Sequence, residues 1–319
     1  MMPLSYTAAT AYLHCPFYFK GRYFDRLPER PRGEFNLGNA LHAALEFFHR
    51  GSEPPTLDAL IDRYLSEWGS AGFRSKEQEK EMFKAGEGWL RGYHAKYSTG
   101  YRRPLYVEHR FRIDIEGVEV LGGIDRVDRM EDGKLEVIDY KSGDVSPEEV
   151  RTNLQLGLYQ LGLQEDLGAE VGRLTIFHIP TLTPLSSPPR TDDEIKAIKA
   201  EVLRVARGIR ARRFEPKRND WCPCDYASIC PYYKHLYAIT HAGSKLVDLR
   251  GICDEVDALA AHMISNQEIG DAAKAEGDVR KFLHANDILR VYGSRYGIEL
   301  RENRLVAEEI TQAERDEMV

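Results

Sequence analysis

The sequence is short of what an exported or membrane protein needs. Five cysteines in 319 residues, at positions 15, 222, 224, 230 and 253, are too few and too unevenly placed for a secreted disulfide scaffold. No apolar run approaches the roughly 20 residues of a membrane-spanning helix. The stretch from Asn153 to Gln164 stops at 12. The N-terminus has no basic leader followed by a continuous apolar core, so it does not read as a signal peptide. Together these absences point to a cytoplasmic protein without a membrane anchor. Low-complexity tracts and internal repeats are missing too, and the length fits one large domain or two. There is no G-x-x-x-x-G-K-[ST], hence no phosphate-cradling loop of a nucleotide-driven motor.

Bulk positive charge is absent as well. The net charge is −7, and residues 245–319 carry −6 of it, with 10 Lys/Arg against 16 Asp/Glu. The first 244 residues therefore hold about −1. That excludes a chain that coats polyanions through overall charge, while local basic patches remain compatible with phosphate contact.

What is present is a clear alternation of patterns. Residues 1–33 are basic and aromatic. Residues 38–50 read as a helix, with Leu41, Leu45 and Phe48 at helical spacing. Residues 56–98 read as further helices. From Pro104 the pattern turns to strands over 105–113, 118–130 and 134–141, with Asp132-Gly133 as the hairpin turn between the last two. Residues 149–164 return to helix, 173–179 make a fourth strand, and 181–190 read as a loop. Thr191 and Glu194 form a capping box opening another helix. Residues 245–319 read as two helices and a short β-like piece ending in an acidic tail. The string of elements fits an α/β class with a mixed central sheet.

The segment richest in chemistry is 122–143. Asp139 and Lys141 are two apart on one strand and so face the same way. The hairpin brings Asp125, on the partner strand, beside them. Two carboxylates and an ammonium on one patch suit Mg²⁺ or Mn²⁺, which prefer hard oxygen ligands. Such ions generate hydroxide near neutral pH and neutralise charge developing on a phosphate. A surface hairpin with an ordinary Lys–Asp pair is the plainer reading of these residues alone. His42, four residues after Gly38, adds an imidazole. Gln155 and Tyr159 lie four apart on one helical face. Glu108, on the preceding strand, is placed to approach the patch, and a solvated edge carboxylate is equally compatible with its position.

The order G-x-x-x-H, G-x-I-D, D-Y-K, Q-x-x-x-Y resembles the RecB-like, Cas4-like branch of the PD-(D/E)XK nuclease superfamily, in its iron–sulfur-containing form. The opening Ser5, Thr7, Tyr12, Cys15, Pro16, Phe19 and Lys20 is similar to the start of that family. The resemblance spans residues 5 to about 235. It implies a restriction-endonuclease-like α/β core with a mixed sheet flanked by helices, a helical insertion at about 52–100 and a C-terminal extension. It implies a nuclease domain over 1–244 and an acidic extension of unassigned role over 245–319. It assigns metal coordination to His42, Asp125 and Asp139. Lys141 becomes the catalytic lysine, and Gln155 and Tyr159 position the site and the strand. The implied activity is metal-dependent hydrolysis of DNA phosphodiesters, exonucleolytic on single-stranded DNA or free ends. Its implied settings are DNA repair and recombination or CRISPR adaptation, with a helicase or an adaptation protein as partner. The alternative from another class is a catalytically silent DNA-binding or scaffold protein of the same fold.

Cys15, Cys222, Cys224 and Cys230 match in number and placement the four thiolates of a [4Fe–4S] cluster in that family. The pattern differs in one respect, because Cys222 and Cys224 are separated by one residue where the resembled spacing has two. A Cys₄ zinc site is the rival occupant, and free thiols are the plain alternative. The basic run Arg204, Arg207, Arg210, Arg212, Arg213, Lys217 and Arg218 suits contact with a phosphate backbone. It suits equally well a solvated helix end, where the dipole favours cations.

Overall fold

The computed structural model describes residues 2–233, 237–239, 246–248, 253–265, 269–286, 290–292, 295–301 and 304–310. In chain order the elements are β1 (Leu4–Ser5), α1 (Tyr6–His14), α2 (Pro16–Phe19), α3 (Gly33–Arg50), α4 (Leu57–Ser66) and α5 (Lys76–Tyr97). Then come β2 (Tyr106–Ile115), β3 (Val118–Arg129), β4 (Leu135–Lys141), α6 (Pro147–Thr152), α7 (Leu154–Leu167), β5 (Val171–His178), β6 (Thr183–Ser187) and α8 (Asp192–Arg210). The last part holds β7 (Tyr237–Ile239), β8 (Leu246–Asp248), α9 (Cys253–Ser265), α10 (Ala272–Asn286), β9 (Arg290–Tyr292), β10 (Tyr296–Arg301) and β11 (Arg304–Glu309). No helix among the described residues is long and apolar enough to cross a membrane.

The chain divides into two compact units, Met1–Leu13 with Glu29–Arg213, and His14–Pro28 with Phe214–Val319. The first unit is a mixed sheet with helices on both faces, the class read from the sequence. Its strand order is β1-β3-β4-β5-β6, with β2 on the other edge of β3. β2–β3, β3–β4 and β5–β6 pair antiparallel; β1–β3 and β4–β5 pair parallel. Gly133, at φ +87°, makes the β3–β4 turn, and Asp132 Oδ1 accepts the Lys134 N–H at 3.1 Å.

One face of the sheet is covered by α3, α4 and α5. Leu41, Leu45 and Phe48 of α3 are fully buried against Leu60, Tyr64, Leu90 and Tyr93 from the other two helices. Each such side chain contributes about 1.5–3 kcal/mol by leaving water. Ile138, Tyr140 and Phe177 reach the same cluster from β4 and β5. By the two-residue alternation of a strand, Asp139 and Lys141 therefore face the opposite side, where α7 lies. Phe111 of β2 beds there against Gly122 and Gly162, both of which lack the Cβ that would strike its ring. Tyr12 is buried, and its hydroxyl donates to the Arg213 carbonyl at 2.8 Å.

Two elements differ from the sequence pattern. The helix expected over 149–164 is broken at Asn153, whose extended backbone and side-chain acceptance of the Leu156 N–H at 3.1 Å make it the cap of α7. The loop expected at 181–190 contains β6, an antiparallel edge strand. Pro184 sits there because an edge leaves positions whose N–H is not needed by the ladder.

The second unit begins with α2, where Cys15 caps the helix by accepting the Tyr18 N–H at 3.5 Å. Phe19, fully buried, meets Phe214. Farther on, α9 and α10 pack through Val256, Leu259, Val279 and Leu283 onto the antiparallel sheet β11-β10-β9. The β-like piece expected near the C-terminus is thus three strands. The acidic tail beyond residue 310 lies outside the described residues.

Candidate active site

The site is built where two strands part. β3 and β4 pair from Arg129–Leu135 to Arg126–Ile138 and no farther. The next free N–H on β4, that of Tyr140, donates to Asp125 Oδ2 at 2.8 Å. A side chain thus replaces a ladder bond, and the backbone donor is satisfied as burial requires. The other carboxylate oxygen of Asp125 lies 3.4 Å from His42 Nδ1. α3 supplies this imidazole, fixed by the buried neighbours Leu41 and Leu45.

Glu108 comes from β2. The β2–β3 ladder runs through Val107–Arg126 and His109–Ile124 but omits Glu108, which has a φ of +52°. A left-handed residue inside a strand costs on the order of 1–3 kcal/mol and marks a side chain that has been re-aimed. One donor atom from each of His42, Glu108 and Asp125 falls within 4.8 Å of the others.

Asp139 stands beside this group and is 1% exposed. Lys141 Nζ forms an ion pair with its Oδ2 at 2.7 Å. Lys141 also donates to Gln155 Oε1 at 3.0 Å, and Gln155 Nε2 donates to the Tyr159 hydroxyl at 2.6 Å. α7 therefore aims the lysine from the far side.

The electrostatics are those of crowded anions. Burial, then the charge of Asp125, pushes the Asp139 carboxyl up to about 6. Burial, then Asp125 and Glu46, does the same for Glu108, also to about 6. Burial opposes charge on His42, yet the Asp125 and Asp139 carboxylates outweigh it and raise the imidazole to about 9. Lys141 is likewise raised, burial being overcome by Asp139. Two carboxyls that resist ionisation, one of them fully buried, and an imidazole holding a proton among them are what a cationic ligand would relieve. The donor set of oxygens with one imidazole nitrogen suits Mg²⁺ or Mn²⁺.

His42, Asp125, Asp139, Lys141, Gln155 and Tyr159, which the sequence assigned to one site, belong to this one neighbourhood. Glu108 joins it on equal terms. The sequence placed it on the preceding strand, able to approach the patch, with a solvated edge carboxylate equally compatible. Its left-handed backbone carried no sequence signal. In the basic run, Arg204 pairs with Glu201 at 2.7 Å and Arg210 donates to the Gly117 carbonyl at 3.0 Å.

The second unit has its own constellation. Cys15, Cys222, Cys224 and Cys230 line one cavity together with Tyr18 and Trp221. Cys15 Sγ accepts the Lys217 N–H at 3.4 Å, and Cys222 Sγ lies 4.0 Å from the Lys217 carbonyl. Burial raises the Cys224 and Cys230 thiols, and neighbouring cysteines add to the shift. Their sulfurs do not gather within 4.8 Å of one another as the His42 group does.

The family model for the PD-(D/E)XK nuclease superfamily matches residues 3–231. The chain is similar to the Gene 69 protein of Mycobacterium phage D29, at 27% identity over 73% of this chain and 98% of that one. A crystal structure of a candidate exonuclease from Eubacterium rectale aligns with 69% of this chain and 86% of its own, at 15% identity and a TM-score of 0.44.

Proposed function

The chain belongs to the PD-(D/E)XK nuclease superfamily, and from that premise we propose that it is a divalent-metal-dependent deoxyribonuclease of exonuclease type. Its substrate is single-stranded DNA or a free end, and its setting is DNA repair, recombination or CRISPR adaptation alongside a helicase or adaptation partner. The observation that carries this reading is the convergence of His42, Glu108 and Asp125 within 4.8 Å beside the Asp139–Lys141 pair.

His42, Asp125 and Asp139 would hold the ion, with Glu108 as a further oxygen donor. When bound, Mg²⁺ or Mn²⁺ supplies Lewis acidity and a water acidified enough to attack phosphorus. Lys141 keeps its proton, because Asp139 raises it. Its ammonium can stabilise charge on a non-bridging phosphate oxygen or hand a proton to the departing oxygen. Gln155 and Tyr159 hold that ammonium in place.

For the second unit we propose that Cys15, Cys222, Cys224 and Cys230 hold a [4Fe–4S] cluster in a structural role. What supports it is that all four thiols line one cavity. A four-thiolate set also suits Zn²⁺.

Digestion of end-labelled single- and double-stranded DNA with Mg²⁺ or Mn²⁺ tests the nuclease reading. Native protein should cut, and Asp125→Ala and Lys141→Ala should each lose at least ~10²-fold. Native protein that binds DNA but does not cut, with either substitution indifferent, points to the scaffold alternative.

A further inference from the structure

We propose that Arg126 is a positioning residue for the metal centre, clamping from behind the sheet the elements that carry the donor groups. The inference rests on the nuclease reading above.

Arg126 follows Asp125 in β3, so its side chain leaves by the opposite face. It is 15% exposed there. Its guanidinium has a bidentate carboxylate partner in Asp128, with Nε to Oδ1 at 2.8 Å and Nη2 to Oδ2 at 2.5 Å. Its remaining nitrogen, Nη1, meets three groups at once. These are His49 Nε2 at 3.1 Å, the Tyr93 hydroxyl at 3.2 Å and the Tyr140 hydroxyl at 3.4 Å. Tyr93 also touches His49 Nε2 at 2.7 Å and the Tyr140 hydroxyl at 3.1 Å.

Each partner is tied to a donor group. His49 lies two turns after His42 on α3. Tyr140 follows Asp139 on β4, and its own N–H is held by Asp125. Tyr93 belongs to α5, which packs on α3. A single guanidinium therefore fixes α3, β3 and β4 to one another on the side away from the ion. A planar five-donor fork can do this where an ammonium cannot.

The same volume filled with apolar side chains would spare the cost of burying a charge. A charged clamp is costly as packing and well suited to fixing one arrangement. Metal affinity responds to such outer partners, typically by about 10- to 100-fold when they are removed.

The test uses the full-length protein with Arg126→Met, Arg126→Lys and Tyr140→Phe. Mn²⁺ binding is followed by calorimetry, cleavage as a function of Mn²⁺ concentration, and folding by thermal unfolding. Arg126→Met should raise the Mn²⁺ half-saturation by about 10- to 100-fold. Cleavage at saturating Mn²⁺ should then recover to near the native rate. Arg126→Lys and Tyr140→Phe should shift half-saturation in the same direction by less, and they carry the test if Arg126→Met does not fold. Variants that lower the unfolding temperature while leaving Mn²⁺ half-saturation unchanged overturn the proposal alone. Native protein that neither binds Mn²⁺ nor cuts overturns the nuclease reading and this proposal with it.

Discussion

Asp125 accepts the backbone N–H of Tyr140 across a gap where their strands have stopped pairing, at 2.8 Å, while its second oxygen faces His42 at 3.4 Å. One carboxylate thus closes the sheet and opens the site. The two tasks can be separated by substitution.

Asp125→Asn keeps a carbonyl oxygen for the Tyr140 N–H but loses the charge. Asp125→Ala loses both. Cleavage should fall at least ~10²-fold in each. Urea unfolding should show Asp125→Ala less stable by about 1–3 kcal/mol, the penalty for an unpaired buried donor, with Asp125→Asn much closer to native. Equal stabilities would show that the strand-bridging bond contributes nothing.

Metal binding should depend on pH through His42. The imidazole, raised to about 9, must give up its proton to become a ligand. As pH falls below about 9 the proton competes and affinity drops, by up to about tenfold per unit. Mn²⁺ calorimetry at pH 6.5, 7.5 and 8.5 reads this directly. A dissociation constant flat across that range would remove His42 from the ligand set.

His49 makes a separate prediction about stability. Burial, then the Arg126 charge, depresses its imidazole from the ordinary 6.5 to about 2. The unfolded chain therefore binds a proton that the folded chain refuses. The stabilisation is full above about 6.5 and is lost as pH falls from there toward about 2, at about 1.4 kcal/mol per unit. Urea midpoints of native protein and His49→Asn should diverge above pH 6 and converge toward pH 4. Parallel curves would mean that His49 stays accessible to protons.

The sheet and its flanking helices were legible because the strands from 105 to 141 are rich in Val, Ile and Leu and helices such as α3 repeat their apolar side at helical spacing. Gly133 announced the hairpin, and the Thr191–Glu194 box announced α8. What escaped depended on context that a local pattern does not carry. Pro184 hid an edge strand, since the sequence does not say which strand lies outermost. Asn153 hid a helix break inside an apolar run that is buried on every side. At the site, period two placed Asp139 and Lys141 on one face and the strand order put Glu108 within reach, but its left-handed backbone, which a glutamate seldom adopts, left no local mark in the sequence. Arg126 was silent for a related reason: its partners His49, Tyr93 and Tyr140 come from three other elements.

Packing against Phe111 gives another handle on α7. A Cβ at Gly162 would come 2.6 Å from that ring. Gly162→Ala should cost about 1–3 kcal/mol by overpacking, read in a thermal unfolding scan. It should also slow cleavage, because α7 carries Gln155 and Tyr159. A variant of native stability would show that the helix yields without strain.

The cysteine cavity has a visual test. Protein purified without air should be brown, and Cys15→Ala should be colourless. A colourless native protein containing zinc would replace the iron–sulfur assignment with a Cys₄ zinc site.

Cys15 Sγ accepts the backbone N–H of Lys217, a residue 202 positions away in the chain. At about 5–20 residues per second, the ribosome delivers residue 217 some 10–40 s after residue 15. Throughout that interval Cys15 is without Lys217, and Tyr18 is without Trp221 and Tyr226. The first segment of the second unit is made early and completed last, so a nascent chain carries a reduced thiol beside an aromatic cluster for most of its synthesis. Chaperone occupancy and thiol oxidation of the growing chain should therefore concentrate on residues 15–19.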